Sequence, residues 1–305
     1  MRFQLPDELI FLKNRRMPQK RSTATMAGKV VVITGATSGV GYQAVLQLAK
    51  GKAHIVMINR NAEKSAKLQQ QLQDDYGVQV DVVLADLSDL QEVRSAADSI
   101  LMSFPKIDVL INCAGMHSTR ATYTREEFET VFCVNHLSSF LLTHLLLPRL
   151  QESAPARILQ VNSEGHRFNG LNLDDLHWKK RVYTGLRGYG ASKTAQLLTL
   201  WEINDELRCS GVSINAMHPG DVKTNIGSNN GWLYRFFSRY FIGLMLGDPR
   251  VSGESIYYLV ADPAMRDVSG KFFHLTVEEK PAKHALDRGK SKAVYAISKE
   301  LTGLM

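Results

Sequence analysis

The chain has 305 residues, 44% hydrophobic and 22% charged, with a formal net charge of +7. That balance excludes a disordered or low-complexity protein and allows one large domain or two ordinary ones. Its three cysteines, Cys113, Cys133 and Cys209, stand far apart without a CxxC pair, which argues against a disulfide framework or a zinc site and suits a reducing compartment.

Residues 1–27 read as a basic extension, with Arg2, Lys13, Arg15, Arg16, Lys20 and Arg21 against Asp7 and Glu8. The apolar "LIFL" within it is too short for a signal peptide. From residue 28 the pattern changes. "KVVVITG" (29–35) is a buried strand, followed by a helix over 42–50, a strand over 54–59 and a helix over 63–77. A strand over 80–88, a helix over 90–104 and a strand over 107–115 continue the alternation. Next come a long helix or helix pair over 125–150, a strand over 156–163, a helix over 189–208 and strands over 212–220 and 270–275. Apolar strands alternating with helices predict a Rossmann-type α/β fold, a doubly wound parallel sheet of about seven strands covered on both faces. No linker or repeat divides it, so 28–305 is read as one domain.

No segment reaches the roughly 18 uncharged apolar residues of a spanning helix. The tail from 280 is again basic, with Lys280, Lys283, Arg288, Lys290, Lys292 and Lys299 against Asp287 and Glu300. Charged termini are usually solvated; attraction to an anionic membrane surface is the sharper alternative. The expected location is the cytoplasm, with peripheral membrane contact through 1–27 or 226–247 as an addition. No motif points to nucleic acid.

"TGATSGVG" (34–41) joins the first strand to the first helix. Gly35, Gly39 and Gly41 let the backbone turn tightly and approach a pyrophosphate at a helix N-terminus, where free N–H groups favour anions. "YGASK" (189–193) places Tyr189 and Lys193 on one helix face. A cationic neighbour favours the phenolate, so this pair suits proton transfer. A near twin, "YAISK" (295–299), lacks a glycine loop and a serine strand ahead of it; Tyr295 and Lys299 are assigned to packing and solvation.

The GxxxGxG spacing resembles the short-chain dehydrogenase/reductase family. "NCAG" (112–115) resembles its NNAG, "VNS" (161–163) ends strand five where it keeps a serine, "YGASK" matches YxxxK and "HPGDVKT" (218–224) its PG motif. The resemblance implies a catalytic set of Tyr189 as acid/base, Lys193 tuning it, Ser163 orienting substrate and Asn135 carrying a water to the lysine. It implies cofactor contacts from Gly35, Thr37, Ser38, Gly39, Val40, Gly41, Arg60, Asp86, Leu87, Asn112, Ala114, Gly115, Pro219, Gly220, Val222 and Thr224, besides Tyr189 and Lys193. It implies no metal.

NAD-specific folds place an acid at the end of strand two. Here Asn59 and Arg60 stand there, and a guanidinium pairs with a 2′-phosphate, so NADP(H) is expected over NAD(H). Asp86 matches a position that binds adenine; a helix N-cap is its other reading. Glu164, directly after Ser163, is expected to face solvent, and His166, His177 and His218 to be structural.

Residues 226–247 carry Trp232, Tyr234, Phe236, Phe237, Tyr240 and Phe241, with Arg235 and Arg239 on one helix face. They sit where the family keeps a substrate lid; packing against another subunit and an interfacial membrane helix are alternatives. "LDDLHW", "MHPGDVKT" and "SGKFFH" are similar to the retinol dehydrogenase-like branch, which implies a lipophilic, retinal-like carbonyl or alcohol. The rival from another class is a non-catalytic NADP(H)-binding regulatory protein. A homo-oligomer fits the family, but no interface is legible.

Overall fold

The structure is a computed structural model that describes residues 17–220 and 248–304. The expected lid at 226–247, Val222 and Thr224 lie outside those residues. The β-branched runs become strands β1 (Val30–Thr34), β2 (His54–Asn59), β3 (Val80–Leu84), β4 (Val109–Asn112), β5 (Ala156–Val161), β6 (Val212–His218) and β7 (Phe272–His274). Their order is β3-β2-β1-β4-β5-β6-β7, all parallel. An eighth strand, β8 (Val277–Glu278), pairs antiparallel with β7. Two residues are too few to leave a periodic signal, which is why about seven strands were expected.

Helices α1 (Gly39–Lys50), α2 (Ala62–Tyr76), α3 (Leu90–Ser103), α4 (Ser138–Glu152), α5 (Gly165–Phe168), α6 (Gly185–Glu206), α7 (Pro249–Ala261) and α8 (Arg288–Leu301) cover the sheet. Alternate strand residues serve opposite faces, as the pleat requires. Val32, Val56 and Leu110 pack toward α3, α4, α6 and α8, while Val31, Ile55 and Ile111 pack toward α1, α2 and α7. Both faces are apolar because both are covered.

The chain before β4's partner helix departs from expectation. Residues 125–129 are not helical; Tyr123 bridges Glu129 as isolated β structure. The buried Glu129 carboxylate then accepts from the Val131 and Phe132 amides at 3.0 and 2.8 Å and starts the helical stretch. Cys133–Leu137 forms a widened turn before α4. Thr130–Glu152 is long and apolar enough to cross a membrane, more so than the sequence reading allowed, yet 67% of its most apolar window is buried inside the protein.

The described part of the N-terminal extension is not loosely solvated. Met26 is buried, the Lys20 amide donates to Thr276 Oγ1 at 2.8 Å, and Gln19 Oε1 accepts from the Thr276 amide at 3.0 Å. The Tyr257 hydroxyl donates to the Ala24 carbonyl, and Arg21 pairs with Glu254 at 2.9 Å. Residues 19–26 therefore strap α7 to the β7–β8 hairpin.

Leu110 is fully buried at the centre of the sheet. Leu110→Ala should cost about 2–5 kcal/mol, through lost apolar burial and the cavity left behind; urea unfolding would measure it.

Candidate active site

Every described candidate loop leaves a strand at the carboxyl edge of the sheet, where ligands of open α/β folds bind. The strand order reverses between β1 and β4. There Thr34 Oγ1 accepts from the amides of Cys113 and Ala114 at 3.0 and 2.9 Å, drawing the two loops together. Gly35 has φ +72°, and a Cβ on it would lie 2.8 Å from Ala114 Cα. A Cβ on Gly41 would lie 2.2 Å from the Gly35 carbonyl oxygen. Neither position has room for another residue.

Side chains cap α2, α3, α6, α7 and α8, through Asn61, Asp89, Thr184, Asp248 and Asp287. The N-terminus of α1 has no such cap: Ser38 stands at the position and its hydroxyl does not bond back. Thr37 is half-buried, Ser38 exposed and Val40 buried beneath them. Free amides at a glycine turn are what a pyrophosphate needs, so the residues present fit a dinucleotide.

At the end of β2, Asn59 turns inward. Its Oδ1 accepts from the Ala36 amide at 2.8 Å, so it pins the glycine loop instead of facing a ribose. Arg60 is 69% exposed and lies 3.6 Å from Asp86. Asp86 does not cap α3; Asp89 does, while Asp86 Oδ1 accepts from the Ser88 amide and hydroxyl at 2.9 and 2.8 Å. Leu87 is half-buried against the α3 side of the core. The Asn112 amide donates to Thr143 Oγ1 at 2.9 Å, which directs that side chain into α4. Ala114, Gly115, Pro219 and Gly220 present backbone at the same edge, after β4 and β6.

Ser163 follows β5, and its hydroxyl faces Tyr189: a Cβ on Gly165 would lie 3.4 Å from Ser163 Oγ and 3.0 Å from the Tyr189 ring. Lys193 lies one turn further along α6 with its ammonium 5.7 Å from the phenol ring centroid. That ammonium is buried and donates to the Val161 carbonyl at 3.0 Å. Burial pushes the Lys193 pKa down to about 8, only partly offset by neighbouring Cys113. Tyr189 differs from expectation. Burial raises its pKa, and the Ser163 hydroxyl opposes that shift without reversing it.

Asn135 sits in the widened turn ahead of α4. Its Oδ1 accepts from the Met116 amide at 2.8 Å, and its Nδ2 donates to the Met116 carbonyl at 3.0 Å and Ser192 Oγ at 2.9 Å. A Cβ on Gly115 would be 3.4 Å from Asn135 Oδ1 and 3.7 Å from Lys193 Nζ. Asn135 thus braces the loop over the lysine. His117, which sequence reasoning passed over, packs edge-to-face on Tyr189 with centroids 5.8 Å apart. Nothing in the spacing marked it, because it reaches Tyr189 across two elements.

The second pair is elsewhere. The Tyr295 hydroxyl donates to Glu206 Oε1 at 2.6 Å and meets His144 Nε2 at 3.0 Å, between α4, α6 and α8. Burial and the Glu206 carboxylate push its pKa far up. It joins helices and faces no glycine cradle.

Glu164 is not solvated. It is 6% exposed, pairs with the Arg167 guanidinium and lies 3.9 Å from His274 Nδ1. The Glu164 amide donates to His218 Nδ1 at 3.3 Å. Glu164, His218 and His274 bring ligand-type atoms within 4.8 Å of one another. Arg167 already supplies the cation there, and His218 Nδ1 is turned to an amide, so the cluster reads as an ion-pair network. Burial alone would raise the Glu164 pKa, but His274, His218 and Arg167 hold it down at about 2. Burial also lowers His218 to about 3 and His166 to about 4. All three are buried, and His166 lies closer to the site than a structural reading requires.

The parallel sheet, the glycine cradle at its switch point and the Ser-Tyr-Lys cluster beside it define a dinucleotide-binding oxidoreductase class. The chain belongs to the short chain dehydrogenase family, whose pattern matches residues 29–231. It is 35% identical over 288 residues to retinol dehydrogenase 13 of Homo sapiens, covering 93% of this chain and 87% of that one. It is 34% identical over 305 residues to dehydrogenase/reductase SDR family member 13 of Bos taurus, covering 97% and 79%. Among solved structures, an uncharacterized protein from Mycobacterium Paratuberculosis superposes with a TM-score of 0.74 at 30% identity, covering 92% and 95%. The Pseudomonas aeruginosa RhlG/NADP complex shares the fold, with a TM-score of 0.65 at 23% identity over 82% and 95%. The family acts as oxidoreductases using NAD(P).

The Glu164 carboxyl titrates lower in the folded chain than its ordinary 4.5. Its stabilising contribution is therefore present above about pH 4.5 and lost as pH falls toward 2, roughly 3 kcal/mol in all. Histidines 166 and 218, neutral when folded, add acid lability below their ordinary pKa of 6.5. Acid unfolding followed by circular dichroism should show a shallower dependence below pH 4.5 in Glu164→Gln.

Proposed function

We propose that this chain is an NADP(H)-dependent oxidoreductase that interconverts a lipophilic, retinal-like carbonyl and its alcohol. The observation that carries this reading is the Ser163–Tyr189 contact, one helical turn from buried Lys193 and beside the glycine cradle. The dinucleotide would be held by the backbone of Gly35–Gly41, by Arg60 and Asp86, by the Asn112–Gly115 loop, by Lys193 and by Pro219 and Gly220. When bound, its nicotinamide supplies the hydride chemistry.

In carbonyl reduction, Tyr189 gives its proton to the substrate oxygen. Its raised pKa keeps the phenol protonated until a substrate oxygen of rising basicity meets it. Ser163 Oγ holds that oxygen and stabilises its developing charge. The Lys193 ammonium favours the phenolate left behind, and Asn135 keeps the loop over Lys193 in place. Alcohol oxidation runs these proton steps in reverse.

Arg60 supports NADP(H): it is an exposed cation after β2, and no carboxylate ends that strand. The names of the relatives support a retinoid-like substrate. So do the apolar Phe168, 67% exposed on α5 just after Ser163, and Leu186, 76% exposed on α6, which carries Tyr189.

NADPH consumption across a panel of lipophilic aldehydes and ketones tests the reading. Tyr189→Phe should lower kcat about 10²–10⁴-fold, the usual worth of a positioned acid; wild-type rates in that variant would remove Tyr189 from the role. NADPH binding without reduction of any panel member would favour the non-catalytic rival. Reduction should decline as pH rises through about 8, where Lys193 loses its proton; a steady-state pH profile reads this directly. Arg60→Ala should weaken NADPH about tenfold, or about 1.4 kcal/mol, and leave NADH unchanged, as titration of each dinucleotide would show.

A further inference from the structure

Ser163 stands at the mouth of α5, a helix of four residues, Gly165–Phe168, without a capping side chain. One helical turn cannot hold its own orientation in water. What holds this one comes from far along the chain, in the segment 279–284 that follows β8. The Arg167 guanidinium bridges the carboxylates of Glu164 and Glu279 and donates to the Lys280 carbonyl at 3.1 Å. His166 Nδ1–H donates to the Ser163 carbonyl at 2.7 Å, while its Nε2 accepts from the Ala282 amide at 3.2 Å. His284 Nε2–H donates to the His166 carbonyl at 2.7 Å. Arg167, Glu164, Glu279 and His166 are all at least nine-tenths buried. Inside the turn, the Gly165 amide donates to Ser163 Oγ at 3.1 Å and the Ser163 amide to Asn162 Oδ1 at 2.8 Å.

We propose that residues 279–284 form a clasp that positions the Ser163 hydroxyl against Tyr189, with Glu279, Arg167, His166 and His284 as positioning residues. This rests on the catalytic reading of Ser163 given above. The physical case is one of tolerance. A misplacement of about 1 Å in a reacting constellation can cost on the order of a hundredfold in rate, and a lone turn drifts that far unless its neighbours fix it. A buried guanidinium shared by two buried carboxylates is a directional tie, since every departure leaves a charge unpaired. The His166 ring adds a second tie, in which one nitrogen faces the Ser163 carbonyl and the other faces the clasp.

The test uses the full chain carrying Glu279→Gln or His284→Ala, each alone and combined with Ser163→Ala. Each single variant should lower kcat for carbonyl reduction about tenfold and leave the NADPH Kd within about twofold. In the Ser163→Ala background the same changes should cost nothing more, because there is no hydroxyl left to position. Amide hydrogen exchange of residues 163–168 should quicken in both variants, with β1 and α1 unaffected. A merely structural role predicts equal losses in both backgrounds, and that result would overturn the clasp. Unchanged exchange at 163–168 would overturn it as well. Should the wild-type chain reduce no carbonyl at all, the catalytic reading would fall, and the exchange measurement would still decide whether the clasp holds the turn.

Discussion

A single hydroxyl oxygen, Thr34 Oγ1, accepts two backbone amides from the loop after β4. At the switch point of a doubly wound sheet the neighbouring loops diverge to opposite faces, so strand pairing no longer ties them. Thr34 makes that tie. It brings Ala114 against Gly35, which is why Gly35 tolerates no side chain. From Ala114 the chain runs over Asn135 and Lys193, and Lys193 reaches back to the carbonyl of Val161, two residues before Ser163. The cradle and the Ser163–Tyr189–Lys193 cluster are therefore registered to each other through four adjacent elements, β1, β4, β5 and α6.

Much of this frame is legible in the sequence because it rests on local rules. Apolar, largely β-branched runs place the seven parallel strands, three of the runs ending in glycine, and a tyrosine four residues before a lysine needs only helical geometry to share a face. Most of the misses arise from contacts made between distant segments. Asn59 looks like a ribose-facing residue until its amide oxygen is found on Ala36. Glu164 looks solvent-facing in "VNSEGH", yet its partners are Arg167 three residues on and His274 more than a hundred residues away. The helix before α4 begins later than the pattern suggests because Glu129, four residues after the expected start, supplies the cap. His117 carried no motif, and its ring contact with Tyr189 exists only once β4 and α6 are side by side.

The buried charges around Ser163 differ in kind from the apolar packing beneath the sheet. Apolar contacts fill space and tolerate small shifts. An arginine shared between a carboxylate 3 residues back and one 112 residues on does not, because each departure exposes an unpaired charge in a dry interior. Directional order is thus concentrated around Ser163, while the strap of residues 19–26 secures the turn between β7 and β8 through Thr276.

The two Tyr-Lys pairs show what surroundings do to one spacing. Tyr189 faces a neutral hydroxyl, whereas Tyr295 gives its hydrogen to the anion of Glu206. An anionic acceptor penalises the phenolate doubly, by repulsion and by the loss of the bond, so Tyr295 is frozen as a rivet between three helices. A recurring four-letter interval is therefore no guide to chemistry in this chain: the character of the group each phenol faces, neutral or negative, sets the two apart.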